Sequence, residues 1–319
     1  MKIKEIKNLT SSELDGYKKS TLYEQVLNNY KLCDEHYAYY LEYFGKNWID
    51  TSFVIFDENN YYICMYMLSN GNEFSFFGAP IDIYTIEADF KIIIRAYQEL
   101  FAKLEEYKDI YGVSRIRIYD NPYFLSKYIA LGMDVPEIEY YSNIDLLHSE
   151  EEIKMSVRKS YKSLINWGYR NIKIKLFDYS NITEEIIELF EAFHMQVSKR
   201  RTRSHKSWIL QYEAVKKGMG YVLFGYLENE LVASVLVLTS QFEAYYGVAV
   251  NNRDLMAENK PIGHALLLEA IFEAKRNGLK NFCLGNVTYS KDEKLNAIAK
   301  YKRGFSPLID TKISYYINL

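Results

Sequence analysis

The hydrophobic and polar positions of this chain follow one series of predicted elements twice, over residues 53–146 and again over residues 222–319. Each series opens with two apolar strands around a short polar turn, Asn59-Asn60 in the first and Glu228-Asn229 in the second. An aromatic strand, a helix, a glycine and a further strand follow in both. A repeat this long indicates two copies of one domain, because the period of a solenoid is far shorter.

Apolar residues at helical spacing predict one long helix with a buried face in each copy. The faces are Phe90, Ile93, Ile94, Tyr97, Phe101 and Leu104 in the first copy, and Ile262, Leu266, Ala270, Ile271 and Ala274 in the second. Proline suits a first helical position, so we expect the second helix to start at Pro261. Gly112 and Gly278 end the two helices as left-handed caps. Strands over residues 115–119 and 281–284 come next, and the first copy closes with a short helix over 123–130, a turn at Gly132 and a strand over 140–146.

Residues 153–165 between the copies repeat apolar positions every three to four residues, with lysines and arginines between them, which predicts an amphipathic basic helix. A strand over 172–177 and a helix over 183–197 follow. We therefore predict an α/β (α+β) protein of two tandem domains, 1–150 and 151–319, each with a mixed, mostly antiparallel sheet flanked by helices.

Charge is distributed unevenly along the chain. The net charge is −3, yet residues 154–217 hold 14 lysines and arginines against 6 aspartates and glutamates. This asymmetry favours a phosphate-bearing partner such as a nucleotide, coenzyme A or RNA. A solvated basic helix face explains the same charges.

Cysteine spacing and hydropathy indicate the compartment. Cys33, Cys64 and Cys283 show no metal or redox spacing, and no apolar run approaches the roughly 18 residues of a membrane span. We expect a cytoplasmic protein with reduced thiols and no transmembrane segment. The five histidines show no ligand spacing, so we expect no metal.

One motif differs between the copies. Lys260-Pro-Ile-Gly263-His264-Ala265 opens a helix after a strand, whereas the first copy has no glycine between Gly78 and Gly112. A glycine in the first helical turn exposes backbone N–H groups, which with the helix dipole can hold a diphosphate. The segment therefore predicts a donor-phosphate site in the second copy alone, with the first copy a degenerate one. An ordinary Pro/Gly helix start is the other interpretation.

The Lys260–Ala265 spacing resembles the acyl-CoA loop of the GNAT acyltransferases, with lysine where Gln or Arg is usual. The wider pattern resembles the Fem family of tandem-GNAT aminoacyltransferases and the related CoA-type acyltransferases. The segments that carry this resemblance are Tyr128–Met133 with Ile144–Leu146, the basic Val157–Lys162, the helix from Pro261 to Gly278, Phe282–Gly285, and Tyr301-Lys302-Arg303-Gly304-Phe305. The long helical arm that some peptidoglycan members carry in domain two is absent here, although armless members of the family exist.

The resemblance implies transfer of an acyl or aminoacyl group to an amine. Its donor is acyl-CoA or aminoacyl-tRNA, and the phosphate contacts are Lys260, Gly263, His264 and Ala265. A splayed central strand lends a backbone N–H to the carbonyl oxygen, which makes Gly247, Val248 and Ala249 candidates. Tyr289 or Tyr301 is the candidate proton donor.

Further candidates each have a structural alternative. His194 or Glu191 is a candidate base for the amine, although a packed histidine suits the same helix. Lys302 is a candidate to hold a phosphate or polarise the carbonyl. Four arginines are candidates for the acceptor phosphate, or else a charged surface: Arg158, Arg200, Arg201 and Arg203.

Three functions are consistent with these features. The first is an N-acyltransferase, with acyl-CoA slightly favoured, that acts on an amine of a cell-wall or surface-polysaccharide precursor. The second is an aminoacyl-tRNA-dependent Fem-type peptidoglycan aminoacyltransferase. The third is a non-catalytic module that binds RNA or a nucleotide sugar. The expected partners are phosphate-bearing small molecules, namely CoA or a nucleotide-linked precursor, and possibly tRNA.

Overall fold

The computed structural model describes residues 1–45, 47–128 and 134–319. In chain order its strands and α-helices are β1 (Lys2–Glu5), α1 (Ser11–Lys18), α2 (Thr21–Val26), α3 (Asp34–Phe44), β2 (Ile49–Asp50), β3 (Phe53–Phe56), β4 (Tyr61–Met65), β5 (Leu68–Ser69), β6 (Phe74–Ser75), β7 (Ile83–Thr85), α4 (Phe90–Tyr111), β8 (Arg115–Tyr119), α5 (Pro122–Tyr128), β9 (Glu137–Asp145), α6 (Glu150–Ser156), α7 (Lys159–Asn171), β10 (Lys173–Phe177), α8 (Glu184–Ser198), α9 (His205–Lys216), β11 (Gly220–Leu227), β12 (Glu230–Thr239), β13 (Glu243–Asn251), α10 (Arg253–Ala257), α11 (His264–Arg276), β14 (Asn281–Asn286), α12 (Glu293–Lys302) and β15 (Ile309–Asn318). Short 3-10 helices lie at Ile6–Asn8 and Tyr30–Leu32. No helix within the described ranges is long and apolar enough to cross a membrane.

The chain forms two compact units. Unit 1 contains residues 1–27, 44–138 and 312–319, and unit 2 contains residues 28–43 and 139–311. Both units are assembled from segments that are apart in the sequence. The predicted domain division at residue 150 concerns the two sequence copies, and it stays a prediction.

Unit 1 contains a four-stranded antiparallel sheet in the order β1-β3-β4-β7. Helix α4 buries Ile93, Tyr97 and Leu104, as the periodicity predicts, and ends at Gly112 in the left-handed conformation. Two predicted members of its buried face are exposed instead, because Phe90 lies at the first residue of the helix and Ile94 faces solvent. Strand β8 has the predicted bounds. The predicted turn at Gly132 and the end of the preceding helix lie outside the described residues.

Unit 2 contains the candidate site. Its sheet has the order β10-β11-β12-β13-β14-β9, and all neighbours are antiparallel except β13 and β14. Helices α7 and α11 pack on one face of this sheet, whereas α8, α9 and the segment that includes Tyr30 pack on the other. The hairpin β11–β12, helix α11, strand β14 and helix α12 follow the same order as β3–β4, α4, β8 and α5. The predicted tandem α/β architecture is therefore confirmed.

The last strand of each copy lies in the unit formed mainly by the other copy. Strand β9 ends the first copy and pairs with β14 in unit 2. Strand β15 ends the second copy, and its residues 314–318 pair with β8 in unit 1. The compact units therefore do not coincide with the two halves of the sequence.

The predicted basic helix over 153–165 is wrong as one helix, because it divides into α6 and α7. Val157 and Arg158 have extended backbone angles, with ψ of 138° and 132°. The Arg158 N–H donates a hydrogen bond to the carbonyl of Gly304 (2.8 Å), which it could not reach within a continuous helix. The segment that opens the second copy is therefore fixed to the Lys302–Phe305 motif.

Tyr161 packs directly against that motif. A Cβ added to Gly304 would lie 2.0 Å from Cε2 of the Tyr161 ring, and the Phe305 ring is 5.4 Å from the Tyr161 ring between centroids. Phe305 is fully buried. Only glycine allows the α7 ring and the end of α12 to approach this closely.

Gly304→Ala should therefore destabilise the protein by about 1–3 kcal/mol through overpacking. Urea unfolding gives the free energy, with Gly225→Ala as control, because a Cβ there meets side-chain methyl groups no closer than 3.0 Å. An equal decrease in the free energy of unfolding for the two variants would contradict the proposed Tyr161 contact.

Candidate functional site

Strands β13 and β14 pair over only three residues each. Residues 243–245 of β13 are parallel to residues 281–283 of β14, and no pairing between the two strands follows. Strand β13 continues to pair with β12. The register between them shifts at Gly247, which has no partner residue on β12. On β14 the register with β9 shifts between Cys283 and Gly285. Bulges bend strands and end their pairing, so β13 and β14 diverge and leave a gap.

An open cleft of about 740 Å³ lies at this gap, within unit 2. Such a volume suits a small-molecule ligand or the reactive end of a larger one. Its walls come from α8, β13, α10 and α12, with the lining residues His194, Val197, Ser198, Tyr245, Tyr246, Gly247, Ala249, Val250, Asn251, Arg253, Met256, Lys294, Ala297, Ile298, Tyr301 and Lys302.

Two neighbouring residues at the end of α12 contact opposite faces of the sheet. Tyr301 packs with the α7–α11 core, and its hydroxyl donates to the carbonyl of Gly263 (3.0 Å). Burial raises the pKa of this phenol well above its usual value, so it stays protonated. Lys302 instead reaches toward Gly285 and Tyr245, on the face covered by α8.

Gly285 makes room for the Lys302 amine. It has a positive φ of 89°, and a Cβ on it would lie 3.1 Å from Lys302 Nζ and 3.2 Å from the Tyr245 hydroxyl. Burial lowers the pKa of Lys302, an effect that Cys283 partly opposes. No acidic side chain occurs among the described residues that line the cleft. The amine is therefore available to a ligand.

His194 lines the same cleft from α8. Its ring contacts Trp208 edge to face, with 5.5 Å between centroids. Burial lowers the pKa of His194, and the Arg203 cation lowers it further. The imidazole is therefore neutral at neutral pH, as a base for an amine requires.

Several predicted residues lie away from the cleft lining. Tyr289 is 84% exposed. Glu191 is buried on another face of α8, where it accepts from His205 Nδ1 (2.6 Å) and lies 3.7 Å from Arg201. Arg203 donates to the Tyr39 hydroxyl (3.2 Å). Arg158 lies over the Tyr161 ring at 5.2 Å, Arg200 is exposed, and the side chain of Val248 is buried in the core.

The predicted phosphate loop adjoins the cleft through Asn251. Helix α11 begins at His264 rather than at Pro261, because Ile262 and Gly263 form a turn ahead of it. A Cβ on Gly263 would lie 2.8 Å from Asn251 Oδ1, and Asn251 is a cleft residue. Lys260 pairs with Glu258 at 2.9 Å.

The side chains of His264 and Ala265 point into the core. The His264 ring lies 4.7 Å from Tyr161 and 5.2 Å from Tyr301 between centroids, and Ala265 packs against Gly168. Burial lowers the pKa of His264 to about 4. The Ala265 side chain is therefore closed to a ligand, and the His264 ring is occupied mainly by contacts within the protein.

Five of the predicted residues thus line one cleft: His194, Gly247, Ala249, Tyr301 and Lys302. Their roles remain predictions. Sequence reasoning missed Arg253 and the α12 residues Lys294, Ala297 and Ile298. Ile298, Ala297 and Lys294 lie three, four and seven residues ahead of Tyr301, and this spacing, which indicates one helix face, was the available signal on α12.

Comparison with known proteins identifies the fold. No family model matches the sequence, and no curated protein matches it significantly. Solved structures match over most of the chain. The match to FemX covers 100% of this chain and 98% of the FemX chain, with a TM-score of 0.64 and 11% sequence identity. The match to L-PGS from Bacillus licheniformis covers 97% of this chain and 92% of the L-PGS chain, with a TM-score of 0.57 and 11% sequence identity. The match to a tandem GNAT protein from the clavulanic acid biosynthesis pathway covers 90% of this chain and 88% of that protein's chain, with a TM-score of 0.53 and 11% sequence identity.

The fold is that of the Fem-like, tandem GNAT proteins. At such low identity the likeness concerns architecture, and the chemistry has to be argued from the cleft. Among the described residues, no group of three His, Cys, Asp or Glu side chains is placed to hold a metal ion.

The half-buried His264 makes stability depend on pH. The folded protein binds a proton at His264 less readily than the unfolded chain does, so stability is full above pH 6.5 and falls as the pH drops toward 4. Protonation of His264 should lower the free energy of unfolding by about 3 kcal/mol. His264→Phe should make the acid side of the stability curve shallower in urea unfolding at several pH values. His148→Gln, a change at an exposed histidine, is the control. An unchanged curve for His264→Phe would contradict the assignment.

Proposed function

We propose that this chain is an N-acyltransferase that moves an acyl or aminoacyl group from a carrier to an amine, with the chemistry in the unit 2 cleft. The unpaired edge of β13 carries the proposal. Beyond Tyr245 this strand is paired on one side only. In an antiparallel pair, successive N–H groups alternate between the two sides. Some amides of residues 246–251 therefore point into the gap, where they can donate to a developing oxyanion.

The cleft residues supply the remaining steps. The neutral imidazole of His194 accepts a proton from the amine while its nitrogen attacks the carbonyl carbon. The oxyanion that forms is stabilised by an amide of residues 247–249 and by the nearby Lys302 amine. When the carbonyl re-forms, the bond to the carrier's sulfur or oxygen breaks, and the Tyr301 phenol exchanges its hydrogen bond to the Gly263 carbonyl for one to the leaving atom, to which it donates its proton. Tyr289 is the less favoured donor, because it does not line the cleft.

Two carriers are candidate donors. Acyl-CoA is slightly favoured, and a related tandem GNAT structure is described as being without AcCoA. The likeness to FemX keeps an aminoacyl-tRNA donor as the alternative. The acceptor is the amine of a cell-wall or surface-polysaccharide precursor, in line with the Fem resemblance, and the first sequence copy acts as a scaffold or acceptor-binding half.

Thermal melting separates the two donors. We expect CoA to raise the melting temperature, because a ligand that binds only the folded state stabilises it. Charged tRNA would do so instead if the aminoacyl version is correct. Lys260→Glu with Gly263→Asp should abolish the CoA effect if the 260–265 backbone holds phosphate. An undiminished CoA shift in this variant would remove the phosphate role of the loop.

Replacement of the half-buried lysine tests the chemistry. Lys302→Met should lower kcat/KM for amine acylation about 100-fold by removing a donor to the oxyanion. The melting temperature should hold or rise, since a half-buried cation is replaced by an apolar side chain of similar length. Lys300→Met, an exposed change on the same helix, is the matched control. Full activity of Lys302→Met would exclude this role for Lys302.

A different class of function has one observation in its favour. Lys154, Arg158, Lys159 and Lys162 are all exposed, as a basic RNA-binding surface requires. A non-catalytic RNA or nucleotide-sugar module would bind RNA through them with steep salt dependence. It would give no acyl turnover with any donor.

A further inference from the structure

The side-chain amine of Lys302 is half-buried, yet it makes no hydrogen bond or ion pair with any residue that the structure describes. Half-buried lysines elsewhere in the chain are paired. Lys4 pairs with Glu13 at 2.7 Å. Lys275 donates to the carbonyl of Leu146 at 2.9 Å. Partial desolvation of an amine without a partner favours its neutral form, which is the nucleophilic one, and burial accordingly lowers the pKa of Lys302.

This unpaired amine lies in the cleft where the acyl carbonyl is proposed to bind. Lys302 lines the cleft together with Gly247 and Ala249, which are candidates to hold the carbonyl oxygen. A Cβ on Gly285 would lie 3.1 Å from Lys302 Nζ, so the missing side chain leaves room for the amine beside the sheet. Lys294, the other lysine of the described lining, lies eight residues earlier, so its α-carbon is about 12 Å away along α12.

We propose that Lys302 is a site of self-acylation, which accepts the acyl group of a thioester donor when no acceptor amine is bound. The neutral nitrogen attacks the carbonyl carbon, so that a C–N bond forms and the C–S bond breaks. The proton that the nitrogen loses passes to the departing sulfur, and the products are an acyl-lysine amide and a free thiol. The proposal rests on the proposed transferase function, because that function brings the donor carbonyl to the gap.

The modification switches off the site in which it occurs. Acylation removes the positive charge with which the Lys302 ammonium stabilises an oxyanion. An amide is also far less reactive toward water and thiols than a thioester, so the modified form persists. Donor in excess of acceptor therefore limits the activity.

Site-resolved mass spectrometry tests the proposal in the absence of acceptor. The unchanged protein is incubated with acetyl-CoA or, in parallel, with the acetyl thioester of N-acetylcysteamine, a small donor without phosphate. Hydroxylamine then removes acyl groups from cysteine and tyrosine. Lys294 and Lys300 are internal controls on the same helix, since both are exposed and Lys294 also lines the cleft. We expect Lys302 to be acetylated at least about tenfold faster than either, because its amine is more often neutral and the donor carbonyl is held beside it.

Protein unfolded in urea is the second control. There the three lysines should react at similar rates, because the preference for Lys302 depends on the folded cleft. A preference with neither donor, or one that persists in urea, would overturn the proposal. Acylation of an added amine without modification of Lys302 at low acceptor concentration would refute the self-acylation alone. Modification of Lys302 without acylation of any added amine would refute the transferase and leave the modification site standing.

Discussion

The early end of pairing between β13 and β14 is the constraint on which the candidate site depends. Pairing stops at Tyr245, and a bulge at Gly247 turns the next residues of β13 away. Uncompensated backbone N–H groups in a protein interior are costly, so such a gap persists where a ligand or solvent satisfies them. Gly285 admits the Lys302 amine at one side of this gap, and Tyr301 borders it at the other.

The Lys302–Phe305 motif combines a structural part and a candidate chemical part. Gly304 and Phe305 form the structural part, because the Tyr161 ring rests on the glycine and the phenylalanine is buried in the core. The hydrogen bond from Arg158 to Gly304 also ends the α6 helix there. Lys302 forms the chemical part, since these contacts fix the end of α12 that presents its amine to the cleft. The resemblance in residues 157–162 and 301–305 therefore reflects one packing unit.

Local patterns predicted the fold well, and the site only in part. Helix α4 with its Gly112 cap and the β11–β12 hairpin follow from nearby residues, so periodicity and turn chemistry suffice. The start of α11 and the break at Val157 depend on contacts with distant residues, and the sequence pattern alone misplaces both. Arg253 and Lys294 belong to the cleft because of the bulge in β13 and the position of α12, neither of which leaves a residue pattern. Sequence position makes Glu191 a candidate base, yet it faces His205 on another side of its helix.

A crystal structure with a non-hydrolysable acyl-CoA analogue is the decisive experiment for the gap between β13 and β14. We expect the analogue's carbonyl oxygen to lie within hydrogen-bond distance of a backbone N–H of residues 247–249, with Lys302 Nζ nearby. Binding of the analogue elsewhere in the protein, with the gap between β13 and β14 filled only by solvent, would contradict it.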